Sequence, residues 1–229
     1  MPLEIQVLAV EGMPEVVPGA DIGRLVLDAA TVEPGDIVVI AQKIVSKAEG
    51  RIVPAETRDD ARAAAKRDAR RIVRETPQHL IVETMHGFVC ANAGVDMSNV
   101  PEGTAVLLPK DSDASAKRIR TTLEAERGSP IGVIVADTFG RPWRLGFTNV
   151  AIGASGIELL RGYKGQFDAA GRELLITEIA HLDEIAGAAE LVMNKLDGVP
   201  AAIVRGYPFE PGDGAAKDIV RPAIDDLFR

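Results

Sequence analysis

The chain has 229 residues, 46% hydrophobic and 26% charged, enough apolar material for one large domain or two small lobes, which excludes disorder as the default. Its formal charge of -8 and pI near 5.0 exclude a sequence-independent grip on nucleic acid, which needs clustered Lys and Arg. A single cysteine, Cys90, excludes an internal disulfide and an all-cysteine metal site, and it indicates a reduced, cytoplasmic setting.

In chain order, "LEIQVLAV" alternates and then runs apolar, as a strand does, and "EGMPEVVPG" behind it is punctuated as a loop. No basic segment followed by a long apolar one opens the chain, and nowhere do ~18 apolar residues run together, so the chain reads as soluble, unprocessed and free of membrane spans. "DIGRLVLDAAT" has helical spacing. "PGDIVVIAQKIVSKAEGRIV" gives a turn, a buried strand ending near Ile40, and a polar stretch. Residues 57–75, Ala-rich with carboxylates early and arginines late, predict the clearest helix, its charges a solvated face.

"HLIVETMHGFVCANAGVDMSN" reads as two strands and a Gly-containing loop. "TAVLLPKDSDASAKRIRTTLEAE" reads as a strand and a helix capped near Ser112 or Asp113. "GVIVADTFGRPWRLGFTNVAIG" predicts a strand up to Ala136 and another from about Leu145. Then come a helix in "HLDEIAGAAELVMNK", a strand in "VPAAIVRGY", and a final helix in "GAAKDIVRPAIDDLF", interrupted by Pro222. Strands and helices mix without strict alternation, which predicts a mixed α/β or α+β fold.

The chain lacks both G-x-x-x-x-G-K-[ST] and a G-x-G-x-x-G between strand and helix, so a phosphate site must be built another way. Asp96 and Asp137 each follow an apolar strand in a polar, small-residue loop. Magnesium and manganese take oxygen ligands and commonly bridge one or two carboxylates to substrate phosphates, but aspartates at strand ends also cap turns, and both readings stand. Lys43 and Lys47, four apart, converge on one phosphate if their segment is helical, or else are two solvated lysines. Arg141 and Arg144 flank Trp143. A guanidinium fork suits a carboxylate or phosphate, and the alternative is a surface loop whose tryptophan packs on the core. His86 reads as a satisfied structural histidine and Cys90 as a buried, inert thiol.

Taken together, "GDIVVIAQKIVSKAEGRIV", "HGFVCANAGVDMSN" and "VIVADTFGRPWRLGFTNVAIGASGI" resemble the coenzyme F420-0:L-glutamate ligase (γ-glutamyl ligase) family. The resemblance runs from Met1 through "VPAAIVRGY", in a form without the C-terminal nitroreductase-like domain of some relatives. It implies a mixed sheet with flanking helices and an intertwined homodimer. It further implies that GTP and divalent magnesium or manganese, two ions in all with potassium as a monovalent activator, join L-glutamate to the terminal carboxylate of coenzyme F420-0 through an acyl phosphate, with further γ-linked glutamates in some members.

By the same resemblance Met13, Pro14, Glu15 and Val16 form a loop at the nucleotide, with Gln42, Lys43, Lys47 and Asn99. Asp96 and Asp137 match first-metal ligands and Thr138 a second-metal ligand. Arg141 is expected, from charge, to receive anionic substrate or to serve structure. The last nucleotide stretch is Met193, Asn194, Lys195, Leu196, Asp197, Gly198, Val199 and Pro200. There many relatives have a glycine and then Gln or Glu, whereas this chain has Asn194 and Lys195. A lysine cannot ligate a metal as an ammonium, so either the second ion is held differently, with Asp197, or Lys195 partly replaces it against a phosphate. Two other readings stand: a ligase of this fold for another carboxylate acceptor, and a non-catalytic deazaflavin or nucleotide binding protein, which the Lys195 departure favours.

Overall fold

The computed structural model describes residues 3–226. In chain order its elements are β1 (Gln6–Ala9), α1 (Ile22–Ala29), β2 (Ile37–Ala41), α2 (Gln42–Ala48), β3 (Ile52–Pro54), α3 (Arg58–Arg67), β4 (Ala69–Glu75), β5 (Leu80–Thr84), β6 (Val89–Ala91) and β7 (Thr104–Val106). They continue with α4 (Ser112–Arg127), β8 (Gly132–Arg141), β9 (Arg144–Ser155), β10 (Arg161–Gly162), β11 (Glu178–Ile179), α5 (His181–Met193) and β12 (Ala201–Arg205).

Two unbroken apolar runs, "IVVI" in β2 and "GVIVA" in β8, fix the centre. Strands apolar at every position need cover on both faces, and these pair in parallel, from Ile37 opposite Gly132 to Ala41 opposite Ala136. They sit inside a five-stranded sheet of order β1-β12-β2-β8-β9 whose other pairings are antiparallel. Alternate side chains of β2 go to opposite faces. Val38 and Ile40 pack with Val26 of α1, Val45 of α2 and Leu123 of α4, while Ile37 and Val39 pack with Leu182 and Ile185 of α5. All four β2 side chains are fully buried, each contributing roughly 1.5–3 kcal/mol of transfer free energy. Helices thus cover both faces of a mixed sheet, as the sequence predicts.

Five expectations need correcting. The helix over 57–75 ends at Arg67. It starts on a Thr57–Asp60 capping box, but Asp68 is held by Arg51 at 3.0 Å, and the next residues pair with β5 as β4, where Arg71 donates to the buried Glu83 at 2.9 Å. Tertiary pairing overrides helix propensity there. The cap of α4 is Asp111, whose carboxylate accepts from the Ala114 amide at 2.9 Å.

The strand expected to stop at Ala136 continues to Arg141, and its partner begins at Arg144, so the predicted loop is a long hairpin. Trp143 forms its turn with φ 57° and is 79% exposed instead of packed on the core. Near the C-terminus two short 3-10 turns, Ala216–Ile219 and Ala223–Asp225, stand in place of a helix, because Pro222 supplies no amide donor between them. Leu227 and Phe228, the end of that expected helix, lie outside the described residues. Among those described, no helix is long and apolar enough to cross a membrane.

Candidate functional site

Parallel strands bring their C-terminal ends to one edge of a sheet, where open α/β folds hold their ligands. Here β2 ends directly in α2, and β8 runs on to Asp137 and Thr138 at the same edge. Because β12 runs antiparallel to β2, the segment 194–200 closes over that edge, and the Ala41 amide donates to the Pro200 carbonyl at 2.9 Å. The result is a cleft of about 1070 Å³, just above the roughly 300–1,000 Å³ usual for small-molecule pockets.

Asp96 reaches the cleft from the other side on a tight loop after β6. Ala93 takes φ 52°. Gly94 takes φ 70°, and a Cβ there would come within 2.5 Å of the Leu108 side chain, so only glycine fits. A two-way backbone bridge to Val106, at 3.0 and 2.8 Å, then fixes Asp96. Its carboxylate accepts from the Ser98 amide at 2.8 Å and the Ser98 hydroxyl at 2.9 Å, and it pairs with the Lys43 ammonium at 2.8 Å. Lys43 also donates to the Ser98 carbonyl and hydroxyl, each at 2.7 Å. Burial alone would raise the Asp96 carboxyl, but the Lys43 ammonium and the Ser98 donors outweigh it and hold the group below the ordinary carboxylate value.

The helical turn of α2 sets Lys43 and Lys47 on one side, as their spacing predicts. The Lys47 side chain is only 6% exposed, and its ammonium lies 2.5 Å from the Glu15 carboxylate, which is 75% exposed. A buried ammonium whose counter-ion is a solvated side chain is able to exchange that partner for an incoming anion.

Asp137 differs from Asp96. No ion pair holds it among the described residues, and its carboxyl is pushed up to about 6, first by burial and then by the Asp96 charge, against a hydrogen bond from the Thr138 amide and the more distant Lys195 and Lys43 ammonium groups. Beside it, Thr138 donates to the Asn149 carbonyl oxygen at 2.6 Å, and Asn149 donates to Glu190 of α5 at 2.8 Å. Glu190 pairs with Lys195 at 3.0 Å, and Lys195 donates back to the Thr138 hydroxyl at 2.5 Å. The four side chains close a ring.

Met13, Pro14, Glu15, Val16, Gln42, Lys43, Lys47, Asp96, Asn99, Asp137 and Thr138 all line this cleft, as do Met193, Asn194, Lys195, Leu196, Gly198, Val199 and Pro200. Two expected residues do not. Asp197 accepts from the Asn194 amide at 2.9 Å, and Arg141 lies at the exposed hairpin end, where its guanidinium donates to the Leu145 carbonyl at 2.5 Å. His86, expected to be a satisfied structural histidine, lines a different cavity and is only half satisfied, with Nε2 3.0 Å from the Lys110 carbonyl oxygen and Nδ1 buried without a partner among the described residues. Cys90 is buried, and burial, then the Asp137 charge, pushes its thiol up to about 12, which leaves it inert.

Sequence reasoning missed Ser98, Asn149 and Glu190. The available signals were an amide inside the apolar "FTNVAIG" strand and a carboxylate in the small, apolar "GAAELVM" helix.

Asp96 and Asp137 offer oxygen donors of the kind a hard divalent cation takes, and the unpaired charge of Asp137 would suit one such ion. No group of three or more His, Cys, Asp or Glu side chains suited to a metal occurs among the described residues. A second divalent ion at Thr138 does not fit, because an ammonium already sits on that hydroxyl, which is neutral and, unlike the Asp96 carboxylate beside Lys43, has no charge to offset the repulsion between ammonium and ion.

Comparison with known proteins gives a consistent likeness. The model of the F420-0:gamma-glutamyl ligase family matches residues 12–206. Similar proteins include the coenzyme F420:L-glutamate ligases of Methanothermobacter thermautotrophicus, 43% identical over 98% of this chain and 99% of its own, and of Methanopyrus kandleri, 42% identical over 97% and 98%. A third, from Archaeoglobus fulgidus, is 36% identical over 99% of this chain and 97% of its own.

Proposed function

The chain belongs to the F420-0:gamma-glutamyl ligase family, and from that premise we propose that it is a GTP-dependent ligase that joins L-glutamate to the terminal carboxylate of coenzyme F420-0, and then extends the product with further γ-linked glutamates. In the first step a carboxylate oxygen of the acceptor attacks the γ-phosphorus of GTP and GDP leaves, giving an acyl phosphate. In the second the glutamate amine attacks the acyl carbon, phosphate leaves with the former carboxylate oxygen, and the amine proton passes to solvent. Both steps gather anions, so the protein's task is to position them and offset their charge.

The observation that carries this reading is convergence: Lys43 and Lys47 of α2, Asp96 of its loop, Asp137 of β8 and the 194–200 segment come from distant parts of the chain to one cleft. Lys47, exchanging Glu15 for a phosphate, grips the nucleotide. Lys43, locked by Asp96 and Ser98, stays as a fixed positive charge. Asp96 and Asp137 hold the divalent cation, magnesium or manganese, which when bound withdraws charge from the phosphoryl oxygens.

Mass spectrometry of the protein incubated with coenzyme F420-0, L-glutamate, GTP and manganese or magnesium, with and without potassium, tests the reading. Products heavier by successive glutamyl units are expected only when GTP and metal are both present. GTP consumed without a heavier product would transfer the activity to another acceptor, and untouched GTP would leave a binding protein.

A homodimer belongs to the same proposal. The β8–β9 hairpin exposes Trp143, Leu145 and Phe147 by 79%, 96% and 74%, a concentration of apolar surface that a second copy would cover. Light scattering should give twice the chain mass for the native protein and a single chain for a Leu145→Lys, Phe147→Asp double variant. A monomeric native protein contradicts the dimer.

A further inference from the structure

We infer that Lys195 is the fixed second cation of this cleft, so that the loaded site takes one divalent ion instead of two, and that Glu190 positions it. The inference rests on the ligase reading above for the identity of the anion. An ammonium has three donors. Lys195 uses one on Thr138 at 2.5 Å and one on Glu190 at 3.0 Å, and its side chain is 57% exposed at the lining of the cleft. The third donor is open to an anion there.

Thr138 cannot serve a divalent ion in the same arrangement. Its proton is committed to Asn149 at 2.6 Å, one lone pair takes the Lys195 ammonium, and an ion on the other lone pair would repel that ammonium at close range with no negative charge on the hydroxyl to offset it, as the Asp96 carboxylate has beside Lys43. Glu190, the carboxylate of this ring, has its two oxygens already divided between Asn149 at 2.8 Å and Lys195 at 3.0 Å. Asn149 is itself 4% exposed, so the ring is anchored in the core on the Asn149 side and presents only the lysine to the cleft. The ion pairs agree: Glu15, Asp96 and Glu190 at this cleft each pair with a lysine, and among the described residues Asp137 does not, so one carboxylate is left for one divalent ion.

The test counts ions without relying on turnover. The whole protein, with one equivalent of a non-hydrolysable GTP analogue, is titrated with manganese while free ion is followed by electron paramagnetic resonance. The native protein should bind one ion per chain with no spin coupling between ions. Lys195→Gln should weaken the analogue about tenfold at one equivalent of metal, the loss of one charge-assisted hydrogen bond, and Lys195→Arg should restore most of the affinity. Two coupled ions in the native protein, or an unchanged affinity in Lys195→Gln, would overturn the inference while leaving the ligase reading intact. Failure of the native protein to bind the analogue or any manganese would overturn both. Circular dichroism shows whether each variant keeps its fold, which the exposure of Lys195 leads us to expect.

Discussion

The two ends of the central sheet each hold an aspartate, in opposite states. At the end where β2 begins, Asp36 is 1% exposed, and Arg205 from the end of β12 meets it with two hydrogen bonds of 2.8 and 2.7 Å while also pairing with Glu33. At the other end Asp137 is partly buried, has no ion-pair partner among the described residues, and is pushed up to about 6, first by burial. Both carboxylates lost water on folding, but only one received a counter-ion from the protein. A carboxylate the fold neutralises belongs to the structure. One that the fold leaves short of positive charge is a place for a cation from outside.

Breaking each end should therefore have separable effects. The largest is expected from Asp137→Asn, which keeps the shape and removes the charge: ligation should fall about a thousandfold or more, with the circular dichroism spectrum unchanged. Turnover near the native rate would remove Asp137 from the site. At the opposite end, Arg205→Ala leaves Asp36 buried without its partner and should cost roughly 3 kcal/mol of stability, read by urea unfolding, while the protein that remains folded keeps its ligation rate. Lost activity in fully folded Arg205→Ala would show that the two ends are not independent.

The smallest effect sharpens the comparison through pH. The Asp137 carboxyl titrates near 6 in the fold against an ordinary 3.8, so the folded state holds its proton more tightly than the unfolded chain. Its contribution to stability is thus fully present at low pH and is lost as pH rises through about 6. Without metal, Asp137→Asn should be more stable than the native protein by about 2 kcal/mol at about pH 8 and nearly equal to it at about pH 4. Equal stability at both values would mean that burial does not burden this carboxylate.

How much of this was legible in the sequence follows the same division. The buried runs of β2 and β8 declare themselves, because strands covered on both faces must be apolar at every position. Lys43 and Lys47 after β2, Asp137 at the end of the apolar run of β8 and Asp96 in the loop after β6 were visible as polar residues following apolar stretches, although their meeting depends on a fold that the spacing does not contain. Asn149 and Glu190 were not found, since Asn149 gains its meaning from lying opposite Thr138 in the β8–β9 register. β4 was hidden for a different reason. "ARRIVRE" carries no local signal against helix, and its strand state comes from pairing with β5 and from ion pairs such as Arg71 with Glu83.

The most direct test of the account follows an oxygen atom. An acceptor whose terminal carboxylate carries heavy oxygen is ligated by the native protein with unlabelled GTP, and the released phosphate is analysed by mass spectrometry. Transfer of one heavy oxygen to phosphate for each amide formed is the predicted result, because the carboxylate oxygen that attacks the γ-phosphorus departs with it. Amide formation with unlabelled phosphate would contradict the account.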